Sequence, residues 1–138
     1  MAVGYRHVCA LTVDGRVACW GDNSEGGLGD GTLTNRAVPA FVQGALAGKT
    51  VTQLALGSFQ GCALADGLVY CWGGGYEEDG VFDTQPKLVP GLSGVTQIDV
   101  DGRSSCALVS GELWCWGWHD YGLWRGAGYE FPFRRRFR

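Results

Sequence analysis

Six cysteines are the residues of this 138-residue chain best equipped for chemistry, and their spacing narrows what that chemistry is. They fall in three pairs, Cys9 with Cys19, Cys62 with Cys71 and Cys106 with Cys115. Each pair opens on Cys-Ala-Leu and closes on Cys-Trp-Gly. Metal ligation, disulfide bonding and simple burial compete for them. Zinc wants clustered thiolates and imidazoles; the chain has no Cys-x-x-Cys and two histidines, His7 and His119. Buried thiols that pack as small hydrophobes stay open as a reading. Recurrence only in facing pairs, which packing alone does not require, favours bridging.

The remaining polar clusters carry less. Asp22-Asn23-Ser24-Glu25-Gly26-Gly27 has the look of a calcium loop, but Leu33 stands where the bidentate Glu belongs. Gly27-Leu28-Gly29-Asp30-Gly31 invites a phosphate-loop reading, yet it opens no helix and lacks the Lys. Both are expected to be Gly-rich connections with Asp and Asn turns. Glu77-Glu78-Asp79 is an acidic loop tip, either simply solvated or a contact for a basic partner. His7 has Gln60 and Ser104 at its equivalent places, so no catalytic set recurs. The expectation is a non-enzyme with no catalytic residue, no metal and no cofactor. Loops 22–32 and 73–84 are the candidate partner contacts, through Asp22, Asn23, Glu25, Asp30, Glu77, Glu78 and Asp79.

The cysteine stretches must be held by strands. Cys62 to Cys106 and Cys71 to Cys115 are both 44 residues, and the flanks repeat as well. Val51-Thr52-Gln53-Leu54 matches Val95-Thr96-Gln97-Ile98, and Pro39-Ala40-Phe41-Val42 matches Pro86-Lys87-Leu88-Val89. Asp66-Gly67 and Ser110-Gly111 predict two-residue hairpin turns; Val13-Asp14-Gly15 predicts a three-residue loop with Gly15 left-handed. With those turns the cysteines of each pair face each other. One face then carries cysteines with Leu11, Leu64 or Leu108; the other carries Ala with Trp20, Trp72 or Trp116. A sheet apolar on both faces is sandwiched, here between copies of itself, so these Leu and Trp residues are the expected packing residues. With one strand before the hairpin and one after it, the unit is a four-stranded blade repeating at about 40–50 residues. The predicted repeats are 1–46, 47–92 and 93–126, and an Arg/Phe-rich tail at 127–138 is expected to lie outside them.

Bulk properties set the limits. Twenty-four glycines point to many turns. No apolar run approaches the ~20 residues of a membrane helix. Residues 1–129 carry seven Lys/Arg against thirteen Asp/Glu, and 130–138 four Arg against one Glu. An acidic body argues against broad nucleic-acid binding, which needs a basic surface. Met1-Ala2-Val3-Gly4 does not resemble a signal peptide; it reads as the middle of a repeat.

The order Gly4-Tyr5-Arg6-His7-Val8-Cys9-Ala10-Leu11, Gly15-Arg16-Val17, Cys19-Trp20-Gly21-Asp22-Asn23, Gly26-Gly27-Leu28-Gly29-Asp30-Gly31 and Pro39 resembles the regulator-of-chromosome-condensation repeat. The second unit keeps Gly57, Cys62-Ala63-Leu64, Gly67, Trp72-Gly73 and Pro86; the third has Asp101 in place of the first glycine. The resemblance implies an all-β, partial β-propeller with blades of four antiparallel strands, about two to three blades of a seven-bladed parent. It implies a non-catalytic protein-binding scaffold, with a guanine-nucleotide exchange factor for a small GTPase, or a secreted enzyme or inhibitor on a propeller, as alternatives. The cysteine pairs look most like bacterial exported members, which suggests an extracellular or periplasmic protein. Propellers close with at least ~4 blades, so the expected partners are a protein of unknown identity and further blades, of a longer chain or of other copies.

Overall fold

The computed structural model describes residues 1–74, 83–102, 104–117 and 133–135. Its strands form three antiparallel sheets, each ordered in space as in sequence. The first holds β1 (Ala2–Val3), β2 (His7–Leu11), β3 (Val17–Gly21) and β4 (Arg36–Phe41). The second holds β5 (Val51–Leu56), β6 (Gln60–Ala65), β7 (Leu68–Gly73) and β8 (Asp83–Leu88). The third holds β9 (Val95–Asp101), β10 (Ser104–Val109), β11 (Glu112–Gly117) and β12 (Phe133–Arg135).

The turn residues set the hairpins. Asp66 and Gly67 take φ +55° and +74°, and Ser110 and Gly111 take +50° and +79°; a type I′ turn needs both central residues at positive φ. Thr12 and Arg16 close the wider first turn, the Thr12 N–H donating to the Arg16 carbonyl at 2.8 Å with Gly15 at φ +84°. In the resulting register Cys9 faces Cys19, Cys62 faces Cys71 and Cys106 faces Cys115. Each facing pair is joined by a disulfide.

Alternation along the strands then builds the core. The cysteine face of the first sheet, with Cys9, Val17 and Cys19, meets Ala63, Ala65, Tyr70 and Trp72 of the second. The cysteine face of the second, with Cys62, Leu64 and Val69, meets Ile98, Val100, Ala107 and Trp116 of the third. The second sheet is thus covered on both sides, and every residue of β6 is buried. Burying one large apolar side chain contributes roughly 1.5–3 kcal/mol, so the seams between sheets hold the stack. β5 packs against β1 on one side and β9 on the other, so the first strands share one edge of the stack.

Within the Arg/Phe-rich segment, Phe133–Arg135 pairs with Leu113, Trp114 and Cys115 as the outer strand of the third sheet, where β4 and β8 stand in the others. Backbone pairing at a sheet edge needs only N–H and C=O groups, so the Arg/Phe composition did not announce it.

Candidate functional site

The connection from β3 to β4 is the most elaborate loop of the described residues. It starts at a bulge: pairing with β4 shifts register between Cys19 and Gly21, and the same shift recurs between Cys71 and Gly73. Gly21 takes φ +111°, and a Cβ there would lie 2.6 Å from the Arg6 carbonyl oxygen, so the chain turns out of the sheet where only glycine fits.

Asn23 organises the rest of the loop and is fully buried. Its Nδ2 donates to the carbonyls of Thr32 at 2.8 Å and Thr34 at 3.1 Å, and its Oδ1 accepts from the Leu28 N–H at 3.0 Å. Its own N–H donates to Asn35 Oδ1 at 2.8 Å. Asp30 accepts from the Thr32 N–H and hydroxyl and pairs with Arg36. Burial pushes the Asp30 carboxyl up, but the Thr32 and Arg36 hydrogen bonds outweigh it and hold it below its ordinary range. The loop then crosses to the second sheet. Leu28 is buried in the first seam, the Gly27 carbonyl accepts from Trp72 Nε1 at 2.8 Å, and the Gly31 N–H donates to the Thr84 carbonyl at 2.8 Å.

Asn23 and Asp30, expected to meet a partner, are therefore turned inward and brace the loop whose Gly27, Leu28 and Gly31 reach the second sheet. Their polar side chains read as solvent-facing in sequence, whereas their hydrogen-bond partners include backbone groups that sequence does not display. Asp22 and Glu25 are half-buried at the mouth of the loop. Hydrogen bonds from the Ser24 hydroxyl and N–H hold the Asp22 carboxyl below its usual range. Glu77, Glu78 and Asp79 lie outside the described residues. Of the expected packing residues, Trp72, Trp116 and Leu64 are buried in the seams, while Trp20, Leu11 and Leu108 are half-buried.

His7 lies beneath the same loop, buried, with a Cβ at Gly27 placed 3.4 Å from its Nε2. Burial lowers its pKa from 6.5; a hydrogen bond to the Gln60 backbone and the nearby Asp22 oppose this without reversing it. Its ring packs at the first seam, beside Gly4 and Gly27.

Beside His7 is a surface that no motif in the sequence announces. Tyr5 is 68 % exposed and meets Phe59 edge to face, ring centroids 6.1 Å apart, across the first seam. The Arg6 guanidinium stands 5.3 Å from the Tyr5 ring. Asp22 belongs to the same rim, its N–H donating to the Arg6 carbonyl at 2.9 Å, and the Gly74 N–H donates to Phe59 at 3.1 Å. Tyr5, Arg6 and Phe59 fall just after the matching Gly4 and Gly57, where the repeats differ; that divergence was the available signal. Among the described residues no group of three His, Cys, Asp or Glu side chains is arranged to hold a metal ion. A separate cleft of about 300 Å³ at the hairpin end of the first sheet is lined by Val17, Val42, Leu46 and Val51, with Arg16 stacked 3.9 Å over the Phe41 ring at its side.

Four-stranded antiparallel sheets stacked face to face along a shared inner edge are blades of a β-propeller. Models of the regulator of chromosome condensation (RCC1) repeat match residues 1–26 and 14–64, so the first blade and the start of the second carry repeats of that family. The human E3 ubiquitin-protein ligase HERC2 is 39 % identical over 89 residues, covering 63 % of this chain and 2 % of that protein. Protein pim1 of Schizosaccharomyces pombe is 32 % identical over 105 residues, 68 % of this chain and 20 % of that one. The crystal structure of human WBSCR16 superposes with a TM-score of 0.77 at 27 % identity, over 84 % of this chain and 32 % of that one. The chain thus spans a third or less of each of these proteins.

Proposed function

We propose that this chain is a non-catalytic protein-binding scaffold whose contact surface is the loop rim around the first seam. The observation that carries the reading is the cluster of exposed Tyr5 and Arg6 with half-buried Phe59, assembled from two sheets. Tyr and Arg are enriched among the residues that dominate protein interfaces, because a rigid aromatic and a forked cation bury much area at low entropic cost. Asp22 and Glu25 flank the cluster and give a partner polar groups to orient on. The inward hydrogen bonding of Asn23 and Asp30 supports the same division of labour: the braced loop fixes the rim, and the rim makes contact.

Three disulfides support residence in an oxidising compartment, extracellular or in the cell envelope. The expected partner is a protein.

Tyr5→Ala with Arg6→Ala is the variant to test. Immobilised wild-type chain and variant are compared for proteins captured from the native source, under matched melting curves. Specific loss of captured proteins with the variant is expected. An unchanged set of captured proteins would rule the rim out as the contact surface.

A further inference from the structure

The linkers that join one blade to the next are anchored alike and differ in length. The Val42 N–H donates to the Val17 carbonyl and the Val51 N–H to the Gly15 carbonyl; in the same way the Val89 N–H donates to Val69 and the Val95 N–H to Gly67. Between those anchors the first linker has eight residues, 43–50, and the second has five, 90–94. The apolar residues beneath them correspond as well. Val17, Val42, Leu46 and Val51 are buried at the first junction, and Val69, Val89, Leu92 and Val95 at the second.

Three additional residues between matching anchors have to bow outward. They do so through a 3₁₀ turn at Gly44–Leu46 that leans on β8, where a Cβ at Gly44 would lie 3.2 Å from Gln85 Cβ. The cleft of about 300 Å³ opens beneath this bow, over the floor of Val17, Val42, Leu46 and Val51. Protein interiors keep few voids larger than a water molecule, and this volume is at the lower end of small-molecule sites. The cleft sits between the first and second sheets, so both of its sides are part of this chain.

The wall of the cleft departs from the repeat at two matching places. Arg16 follows Gly15 as Leu68 follows Gly67, and Phe41 pairs with Ala18 as Leu88 pairs with Tyr70. Two leucines of the second blade are thus a guanidinium and an aromatic ring in the first, with Arg16 Cζ 3.9 Å from the Phe41 ring centre. Stacking fixes the plane of the guanidinium and leaves its edge to make hydrogen bonds. A guanidinium carries five N–H donors, and Asp14 takes the one on Nε at 3.1 Å. Both members of that pair are exposed to solvent, where such pairs contribute little.

An aliphatic floor beside one forked cation is complementary to an apolar chain that ends in a carboxylate. We infer that the cleft is a binding site for a small aliphatic carboxylate, its chain on Val17, Val42, Leu46 and Val51 and its head group on Arg16. The site is separate from the proposed contact rim and does not depend on it.

Titrations of the full chain with butanoate, hexanoate, octanoate and octanol, followed by amide chemical shifts, test this. From butanoate to octanoate the dissociation constant is expected to fall about threefold to fourfold per methylene. Octanol should bind about fivefold or more weaker than octanoate, because it lacks the charge-assisted hydrogen bond. Arg16→Leu, which places the residue of the second blade, should bring octanoate down to the level of octanol and leave octanol unchanged. Asp14→Asn, which removes the competing carboxylate, should tighten octanoate and leave octanol unchanged. Ala47→Phe, at an exposed position on the cleft wall, should fill the space and weaken all four about tenfold or more. Melting curves of the variants are measured alongside. The inference is overturned by no shift at millimolar octanoate, by an Arg16→Leu protein that keeps the preference for the acid, or by an Ala47→Phe protein that keeps the affinity. Tighter binding of N-acetylglycyl-leucine than of hexanoate would assign the cleft to a peptide C-terminus and overturn it as well.

Discussion

At the residue scale, polar side chains divide between those that hold the seam and those that face outward, and His7 is the seam residue that pH can address. Its folded-state pKa is depressed below 6.5 chiefly by burial. An unfolded chain therefore takes up the proton more readily. The stability His7 supports is present above about pH 6.5 and is lost as pH falls through that value toward the depressed folded one. Asp22 and Asp30, also depressed, act in a different window, below their ordinary 3.8. Urea midpoints between pH 8 and 5 should thus fall for wild type. They should fall less for His7→Gln, which places the residue of the second sheet, Gln60, at the equivalent position. Identical slopes for the two proteins would separate the pH response from His7.

At the element scale, the hairpin is stapled as well as hydrogen-bonded. The disulfides span 9 or 10 residues, for which loop-closure entropy gives about 2–3 kcal/mol each. Cys62→Ala with Cys71→Ala should lower the unfolding free energy by about that amount and leave the sheet order unchanged. A loss below about 0.5 kcal/mol would show that strand pairing alone holds the hairpin. These elements were legible because each turn needs particular residues: Asp66-Gly67 dictates a register, and the register dictates which cysteines meet. The braced loop was not legible. Asn23 bonds largely to carbonyl and N–H groups, which every residue offers, and the loop it shapes meets Trp72 from 45 positions away. β12 stayed hidden for the same reason, as an edge strand recruited by backbone pairing. The Tyr5–Phe59 contact joins two sheets, and no local pattern records which loops become neighbours after stacking.

At the scale of the whole molecule, function depends on the stack. The Tyr5 and Phe59 rings belong to different sheets, so the proposed contact rim exists only while the first seam is closed. Of the three sheets, the second alone is covered on both faces, with Cys62, Leu64 and Val69 on one side and Ala63, Tyr70 and Trp72 on the other. The central claim is that ordering: cysteine face against tryptophan face, with the second sheet in the middle. Native-state hydrogen exchange tests it most directly, because amides buried on both sides exchange only through the largest openings. The β6 and β7 amides are expected to be the slowest in the chain, slower than those of β2, β3 and β10. Exchange in β6 as fast as in β2 would contradict that ordering.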